Sequence, residues 1–246
     1  MGAERLRFEA AAQPGPRQRQ ATVHAVHNLP AQPTVFIGRE RELNEVAERL
    51  TTTRLLTITG SGGCGKTRLA LEVASRLVDR YPDGVWLVEL ASLAEPGLVP
   101  QAIATVLNVR EQVGQALLAT LLNALHAKHL LLILDNCEHL IEACAQAIDA
   151  TLRACPAIHV LATSREPVRI AGEVMWRVPS LAVPNPTDLP DCDQMATLEA
   201  VRLFVDRVQA AQPEFVLTEQ NVHAVAQICW RLAGIPLALE LAAGLR

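Results

Sequence analysis

Apolar strand-like runs alternate with helical patterns over about 145 residues, which predicts a doubly wound α/β fold. Three observations carry this reading. Residues 130–134, Leu-Leu-Leu-Ile-Leu, are apolar at every position, as a strand buried on both faces of a parallel sheet must be. A glycine-rich turn at residues 60–65 joins a strand directly to a helix. Beyond Pro179, Pro184, Pro186 and Pro190 only helical periodicity remains.

The elements follow in order. Residues 1–33 hold Pro14, Gly15, Pro16, Pro30 and Pro33 among Gln, Arg and Ala, and read as a linker or tail. From Glu40 the residues Leu43, Val46, Ala47 and Leu50 recur at helical spacing. A strand is expected at 54–59, then the glycine turn, then a helix from Lys66 to about residue 80 with Leu69, Val73 and Leu77 on one face. Residues 85–90 read as a second strand, 100–107 and 116–125 as helices, and 130–134 as the apolar strand. A helix over 138–153, a strand over 158–163 and a short strand over 174–178 complete a sheet of about five strands. The proline-rich stretch 181–194 then separates the domain at 34–180 from helices over 195–210, 219–232 and 236 onward, with Pro236 suited to a helix's first turn. The last helix reaches Arg246 without a cap, so residues 195–246 read as part of a longer helical module.

Composition narrows the function classes. With 50% hydrophobic and 20% charged residues, the 246-residue chain is too apolar for a disordered tail and too long for a disulfide-stapled miniprotein. A formal net charge of −4 offers no electrostatic footprint for nucleic acid, so no direct nucleic-acid site is expected within the chain. Cys64, Cys137, Cys144, Cys155, Cys192 and Cys229 form no C-x-x-C pair, which suits a reduced, cytoplasmic protein. The pairs His24/His27 and His126/His129 lack the further ligands of a zinc site. Glu4, Arg5, Arg7 and Glu9 leave no room for a secretory h-region, and no apolar run approaches the roughly 20 residues of a membrane span. Of 22 basic residues only Lys66 and Lys128 are lysine, so a lysine is a marked choice here.

One of the two lies in Gly60-Ser61-Gly62-Gly63-Cys64-Gly65-Lys66-Thr67, which matches G-x-x-x-x-G-K-[ST] with a strand before it and a helix after it. Such a loop turns successive N–H groups toward phosphates, and the helix N-terminus adds a favourable dipole. Lys66 is the point charge for the β and γ phosphates, and Thr67 brings a hydroxyl to Mg²⁺. Cys64 fills a variable position, and Arg68 is a weaker candidate for the nucleotide side, with a solvated surface charge as the plain alternative. The same residues satisfy Gly60-x-Gly62-x-x-Gly65, the dinucleotide fingerprint, with Glu89 available as its ribose-binding acid. A structural glycine turn is the third reading.

Asp135 follows the most apolar strand, so its carboxylate emerges at the sheet's carboxyl edge, where it would hold Mg²⁺ beside Thr67. The alternative is an aspartate capping the next helix. The following residue is Asn136 rather than a second acid, which leaves Glu138 as the nearest group to polarise an attacking water and predicts slow ATP hydrolysis. Arg165, just past the strand at 158–163, can report on the γ-phosphate by charge-assisted hydrogen bonds, with a plain surface charge as the competing reading. Arg169 reads as solvated, and Trp176 and Trp230 as core or interface fillers.

The order of Phe36-Ile37-Gly38-Arg39-Glu40, residues 60–67, residues 130–136, Thr163-Ser164-Arg165 and Gly234-Ile235-Pro236-Leu237-Ala238-Leu239 resembles the NB-ARC-type, or STAND, P-loop ATPases. His27-Asn28-Leu29-Pro30 and Asp135-Asn136-Cys137-Glu138-His139 resemble the ATPase part of bacterial LuxR-type and related transcriptional regulators. The resemblance implies a three-layer P-loop NTPase fold followed by an ARC1-like helical module. It implies that Phe36, Ile37, Gly38 and Arg39 lie near adenine and ribose, that Arg165 senses the γ-phosphate, and that Pro236 packs on the adenine. It further implies ATP/ADP with Mg²⁺ as cofactors, a nucleotide-exchange switch and self-association in the ATP form, with any DNA-binding domain outside this chain. An AAA-like ATPase coupling rapid hydrolysis to remodelling or nucleic-acid work is the alternative. An NAD-dependent oxidoreductase and a fragment that binds nothing stably are the remaining readings.

Overall fold

The computed structural model of the protein describes residues 26–185, 187–188 and 191–244. Strands β1 (Leu55–Thr59), β2 (Val85–Glu89), β3 (Leu131–Asp135), β4 (His159–Ser164) and β5 (Glu173–Arg177) form one parallel sheet in the order β2-β3-β4-β1-β5. The unbroken apolar run in β3 has the expected cause, since successive side chains enter opposite cores. Leu131 and Ile133 pack on one face with α1 (Glu40–Thr52) and α2 (Lys66–Arg76). Leu132 and Leu134 pack on the other with α3 (Val99–Val106), α4 (Leu117–Leu125) and α5 (Ile141–Ala154). The result is a three-layer α/β domain.

A separate core lies beyond the sheet. In α6 (Cys192–Thr197), α7 (Glu199–Ala211), α8 (Val222–Arg231) and α9 (Pro236–Gly244), the residues Met195, Val201, Phe204, Val225, Cys229 and Leu239 bury one another. Three helices expected as continuous are interrupted. The helix starting at Lys66 ends at Arg76 and resumes as a 3-10 turn, Val78–Arg80. The helix expected from residue 138 begins as a 3-10 turn, Cys137–His139, because Asn136 takes a left-handed φ of 67° and Leu140 leaves helical geometry before α5. Extended backbone at Leu198 divides α6 from α7, and Asp191 caps α6 by accepting from the Gln194 N–H at 2.8 Å.

Chain segments expected to be linkers are partly docked. Residues 1–25 of the expected tail lie outside the described residues, but residues 26–28 run along β2. His27 forms a parallel bridge with Val85, and the Val85 N–H donates to the Val26 carbonyl at 3.0 Å. The Asn28 side chain accepts from the Leu87 N–H at 2.6 Å and donates to the Leu87 carbonyl at 2.8 Å. Periodicity does not register so short a segment, which is held by backbone hydrogen bonds at Val85 and by the Asn28 amide. In the proline-rich stretch, Pro186 and Pro190 lie outside the described residues, whereas Leu181 N–H donates to the Gly234 carbonyl at 3.0 Å. Trp176 is buried as expected, while Trp230 is 54% exposed and fills no core. All six cysteines are free thiols. No helix among the described residues is long and apolar enough to cross a membrane.

Arg54 ties three elements together at the opposite edge of the sheet from the glycine turn. Its guanidinium donates to the carbonyls of Leu152 at 2.9 Å, Cys155 at 2.5 Å and Ile158 at 3.2 Å, so it satisfies oxygens at the end of α5 and before β4. An ammonium has no planar fork with which to span them. Arg54→Lys is expected to cost about 1–2 kcal/mol and Arg54→Ala more. The measurement is a lowered urea midpoint at unchanged slope.

Candidate functional site

Strand order sets the site. With β4 inserted between β1 and β3, the carboxyl ends of these three strands stand side by side and the loop after β1 arches over them. Thr67, in the first turn of α2, donates its hydroxyl to Asp135 Oδ1 at 2.7 Å. Thr163, near the end of β4, donates to the same oxygen at 2.6 Å and accepts from the Asn136 N–H at 2.9 Å. Asp135 is therefore fixed by hydroxyls from both flanking elements and does not cap the following helix. The Lys66 ammonium, nearly buried, donates to the carbonyls of Gly60 at 3.0 Å and Ser61 at 3.1 Å.

A cavity of about 370 Å³ runs between this edge and the helical module. Its lining combines the polar side chains of Lys66, Thr67, Asn136, Glu138, Thr163 and Arg165 with the apolar ones of Phe36, Ile37, Leu181, Leu203, Pro236 and Leu237, and Arg39, Arg68 and Glu240 stand among the latter. Gly62, Gly63 and Gly65 complete the lining. The backbone of α9 closes directly on the loop, since the Leu237 N–H donates to the Gly63 carbonyl at 3.2 Å. Gly63 has φ 75°, and a Cβ there would stand 2.9 Å from the Leu237 Cβ, so only glycine allows this approach. Gly234 is constrained the same way: its φ is 64°, and a Cβ would overlap the Leu181 carbonyl oxygen.

Not every expected residue reaches the cavity. Phe36, Ile37, Arg39, Arg68 and Pro236 line it. Gly38 instead packs against the Glu199 carboxylate, which accepts from the Arg39 N–H at 2.6 Å. Gly60 and Ser61 meet Lys66 through their carbonyls, and Cys64 is buried in the core between α1, α2 and the sheet. Arg39 is deeply buried, donating Nη2 to the Pro179 carbonyl at 3.0 Å. Burial lowers its pKa, opposed by Cys64, Glu42 and Glu199. Arg165 and Glu138 are brought together as an ion pair, Nε to Oε1 at 3.1 Å, with the arginine two-thirds exposed. The second oxygen, Glu138 Oε2, is removed from solvent and has no partner among the described residues. Arg68 donates to the Thr34 carbonyl at 2.8 Å and stands over the Phe36 ring at 5.9 Å.

Sequence reading missed Thr163, Leu203, Glu199 and Glu240 as parts of the site. For Thr163 the signal was available, since a hydroxyl at the end of a strand flanking β3 is within reach of Asp135. Glu240 stands one helical turn after Pro236, on the same face. Glu199 and Leu203 meet the site only through tertiary folding. The dinucleotide alternative fails on topology: a Rossmann sheet sets β2 beside β1, whereas here β3 and β4 intervene and Glu89 is exposed at the end of the edge strand.

A parallel sheet in this order, with Lys66 and Thr67 following β1 and Asp135 ending β3, defines a P-loop NTPase domain. A family model described as an AAA domain matches residues 49–171, half of the chain, and the chain belongs to that family. An uncharacterized protein of Mycobacterium tuberculosis is 38% identical over 221 residues, covering 90% of this chain and 53% of its own length. A protein of the same species, carrying the provisional name HTH-type transcriptional regulator, is 43% identical over 190 residues, 77% of this chain and 20% of its own. Regulatory protein AfsR of Streptomyces griseus is 29% identical, covering 87% of this chain and 21% of its own. The chain thus spans about half the length of the first of these relatives and about a fifth of the two regulators. Among solved structures, a STAND protein with a tetratricopeptide repeat sensor from Pyrococcus horikoshii shares the fold, with TM-score 0.58 and 15% identity over 89% of this chain and 31% of that one. A Walker-type ATPase of Pyrococcus abyssi does so with TM-score 0.54 and 16% identity, over 85% of this chain and 67% of that one.

The shared acceptor at Asp135 makes Thr163 testable. Thr163→Val keeps the shape but leaves the Asn136 N–H without its acceptor and removes one donor from a buried carboxylate. A loss of about 1–3 kcal/mol is expected in urea denaturation, with Thr163→Ser recovering most of it.

Proposed function

We propose that this chain is the nucleotide-binding switch of a larger STAND-type regulator, holding Mg-ATP or Mg-ADP at the P-loop and hydrolysing ATP slowly. The observation that carries the reading is one cavity lined both by Lys66, Arg165 and the hydroxyls of Thr67 and Thr163 and by apolar side chains, with α9 bonded to Gly63 beside it. A nucleoside phosphate needs both kinds of surface, apolar for its base and cationic for its phosphates. Lys66 exchanges its loop carbonyls for phosphate oxygens, and the loop N–H groups and the N-terminus of α2 complete the anion site. The oxygen donors Thr67 and Asp135 are the set a hard cation prefers, and they stand within hydrogen-bond distance of each other. These residues would hold Mg²⁺, which when bound neutralises phosphate charge. Phe36, Ile37, Leu181, Leu203 and Pro236 enclose the base, and adenine is the base that the family resemblance implies.

The switch rests on Arg165. A γ-phosphate offers its guanidinium a stronger acceptor than the Glu138 carboxylate, so ATP and ADP make different contacts and shift the balance between two forms. Glu138 lines the cavity three residues after Asp135 and is the acid nearest to it in the chain. Its pairing with Arg165 and the absence of an acid at Asn136 are the reasons for expecting slow turnover. Self-association in the ATP form, a cytoplasmic setting and a transcriptional output belong to the same proposal, supported by the regulators among the relatives.

Calorimetry with Mg-ADP tests the binding reading. Lys66→Ala is expected to weaken binding about 10- to 100-fold, the equivalent of losing hydrogen bonds to a charged group. Nicotinamide dinucleotide binding that survives this substitution would overturn it. For the switch, Arg165→Ala is expected to erase a preference for ATP over ADP while leaving ADP affinity within about twofold, since an exposed charge contributes little unless a γ-phosphate engages it. Multiple-turnover phosphate release as fast as that of a motor ATPase would favour the remodelling alternative.

A further inference from the structure

A charge cluster unassigned by the phosphate-loop chemistry lies at the mouth of the cavity. Glu240, one turn beyond Pro236 on α9, accepts from Arg207 Nε of α7 at 3.0 Å and stands 3.7 Å from Arg68 Nη1 of α2. Arg207 also pairs with its neighbour Asp206. Both guanidinium groups carry a nitrogen removed from solvent without a partner among the described residues, Arg68 Nε and Arg207 Nη2. Two cations short of acceptors therefore share one carboxylate oxygen, Glu240 Oε1. Removing it would leave Arg207 with Asp206 alone and the partly exposed Arg68 with the Thr34 carbonyl, a weaker acceptor than a carboxylate.

The two arginines belong to different parts of the protein. Arg207 travels with the helical module, whereas Arg68 stands two residues after Lys66 on the helix that begins at the phosphate loop. Lifting α9 from Gly63 separates Glu240 from Arg68 but not from Arg207. Because α9 lies over part of the cavity through Pro236 and Leu237, lifting it widens the exit for a ligand bound there. We infer that Glu240 is a positioning residue that clamps α9 across the cavity to α2 and so sets the rate at which bound nucleotide leaves. The inference rests on the nucleotide-binding reading above and adds to it the side chain that holds the lid.

The test uses the 246-residue chain loaded with a fluorescent methylanthraniloyl-ADP and Mg²⁺, chased with excess ADP. Glu240→Gln is expected to release the analogue about three- to tenfold faster, the range for loss of a partly exposed ion pair. In an Arg68→Gln background the same substitution is expected to add no further acceleration. Unchanged release in Glu240→Gln overturns the inference. So does equal acceleration in both backgrounds, because the effect then runs through Arg207 and the packing of the module itself. If Glu240→Gln does not fold by circular dichroism, Glu240→Asp is read instead. It keeps the charge but withdraws it by one methylene, so the longer contact to Arg68 is lost before the shorter one to Arg207, and faster release is expected at an unchanged melting temperature. Wild-type protein that binds no analogue overturns the nucleotide reading and this inference together, whereas binding with unaltered release overturns the inference alone.

Discussion

The carboxylate of Asp135 is the point at which the two halves of the phosphate edge are joined. One of its oxygens takes a hydroxyl from Thr67, carried on the helix after β1, and another from Thr163, carried on β4. The second contact requires β4 to lie beside β3, and the first is made across the end of β4 to the helix after β1. The sheet order is in turn secured by the apolar sides of β3 and β4, which feed two cores at once. Hydrogen bonds to a charged group are worth about 1.5–3 kcal/mol each, so this junction is strong enough to fix the relative height of the three strand ends. The glycine loop, Lys66 and the Asn136 turn inherit their positions from it.

The helical module is joined to this edge by contacts of another kind. Its approach at Gly63 depends on the absence of a side chain, and it is attached to the Gly38 turn by the Glu199 carboxylate and by Ile37, which packs against the module's core. Such contacts are fewer than those within each core. The two cores are thus individually robust and their junction comparatively easy to open. That is the physical arrangement a nucleotide-dependent switch requires.

Most of the fold was legible because its signals are local. The all-apolar β3, the glycine turn between β1 and α2 and the spacing of Leu43, Val46 and Leu50 each report on their own element. The α/β class followed from them, and the three-layer arrangement from the family resemblance. Helix interruptions were illegible for a definite reason: Asn136 and Leu198 break helices by backbone geometry that their side chains do not announce. In the candidate site, the loop and Asp135 could be read because motif and topology coincide. The Glu138–Arg165 pair could not, since each residue was assigned a separate role and their meeting depends on β3 and β4 being neighbours. Leu203 of α7 and Glu240 of α9 were hidden for the same reason, whereas Pro236 was expected from the family resemblance. Leu203 reads as an ordinary core position, and Glu240 as a surface charge, until the module is placed over the phosphate loop.

The docking of residues 26–28 on β2 bears on a different property. Strand β2 ends the sheet, and a terminal strand leaves backbone donors and acceptors free to recruit a strand from another molecule. Here the Val26 carbonyl, the His27 bridge and the Asn28 amide occupy the positions along Val85 and Leu87. Asn28 reproduces with one side chain the donor and acceptor of a peptide group, then allows the chain to turn away, so the pairing ends after three residues. The edge is closed without becoming a sixth strand that would need closing in its turn. Growth of the sheet by strand addition is blocked along Val85 and Leu87, which leaves β5 as the edge at which a further strand could pair.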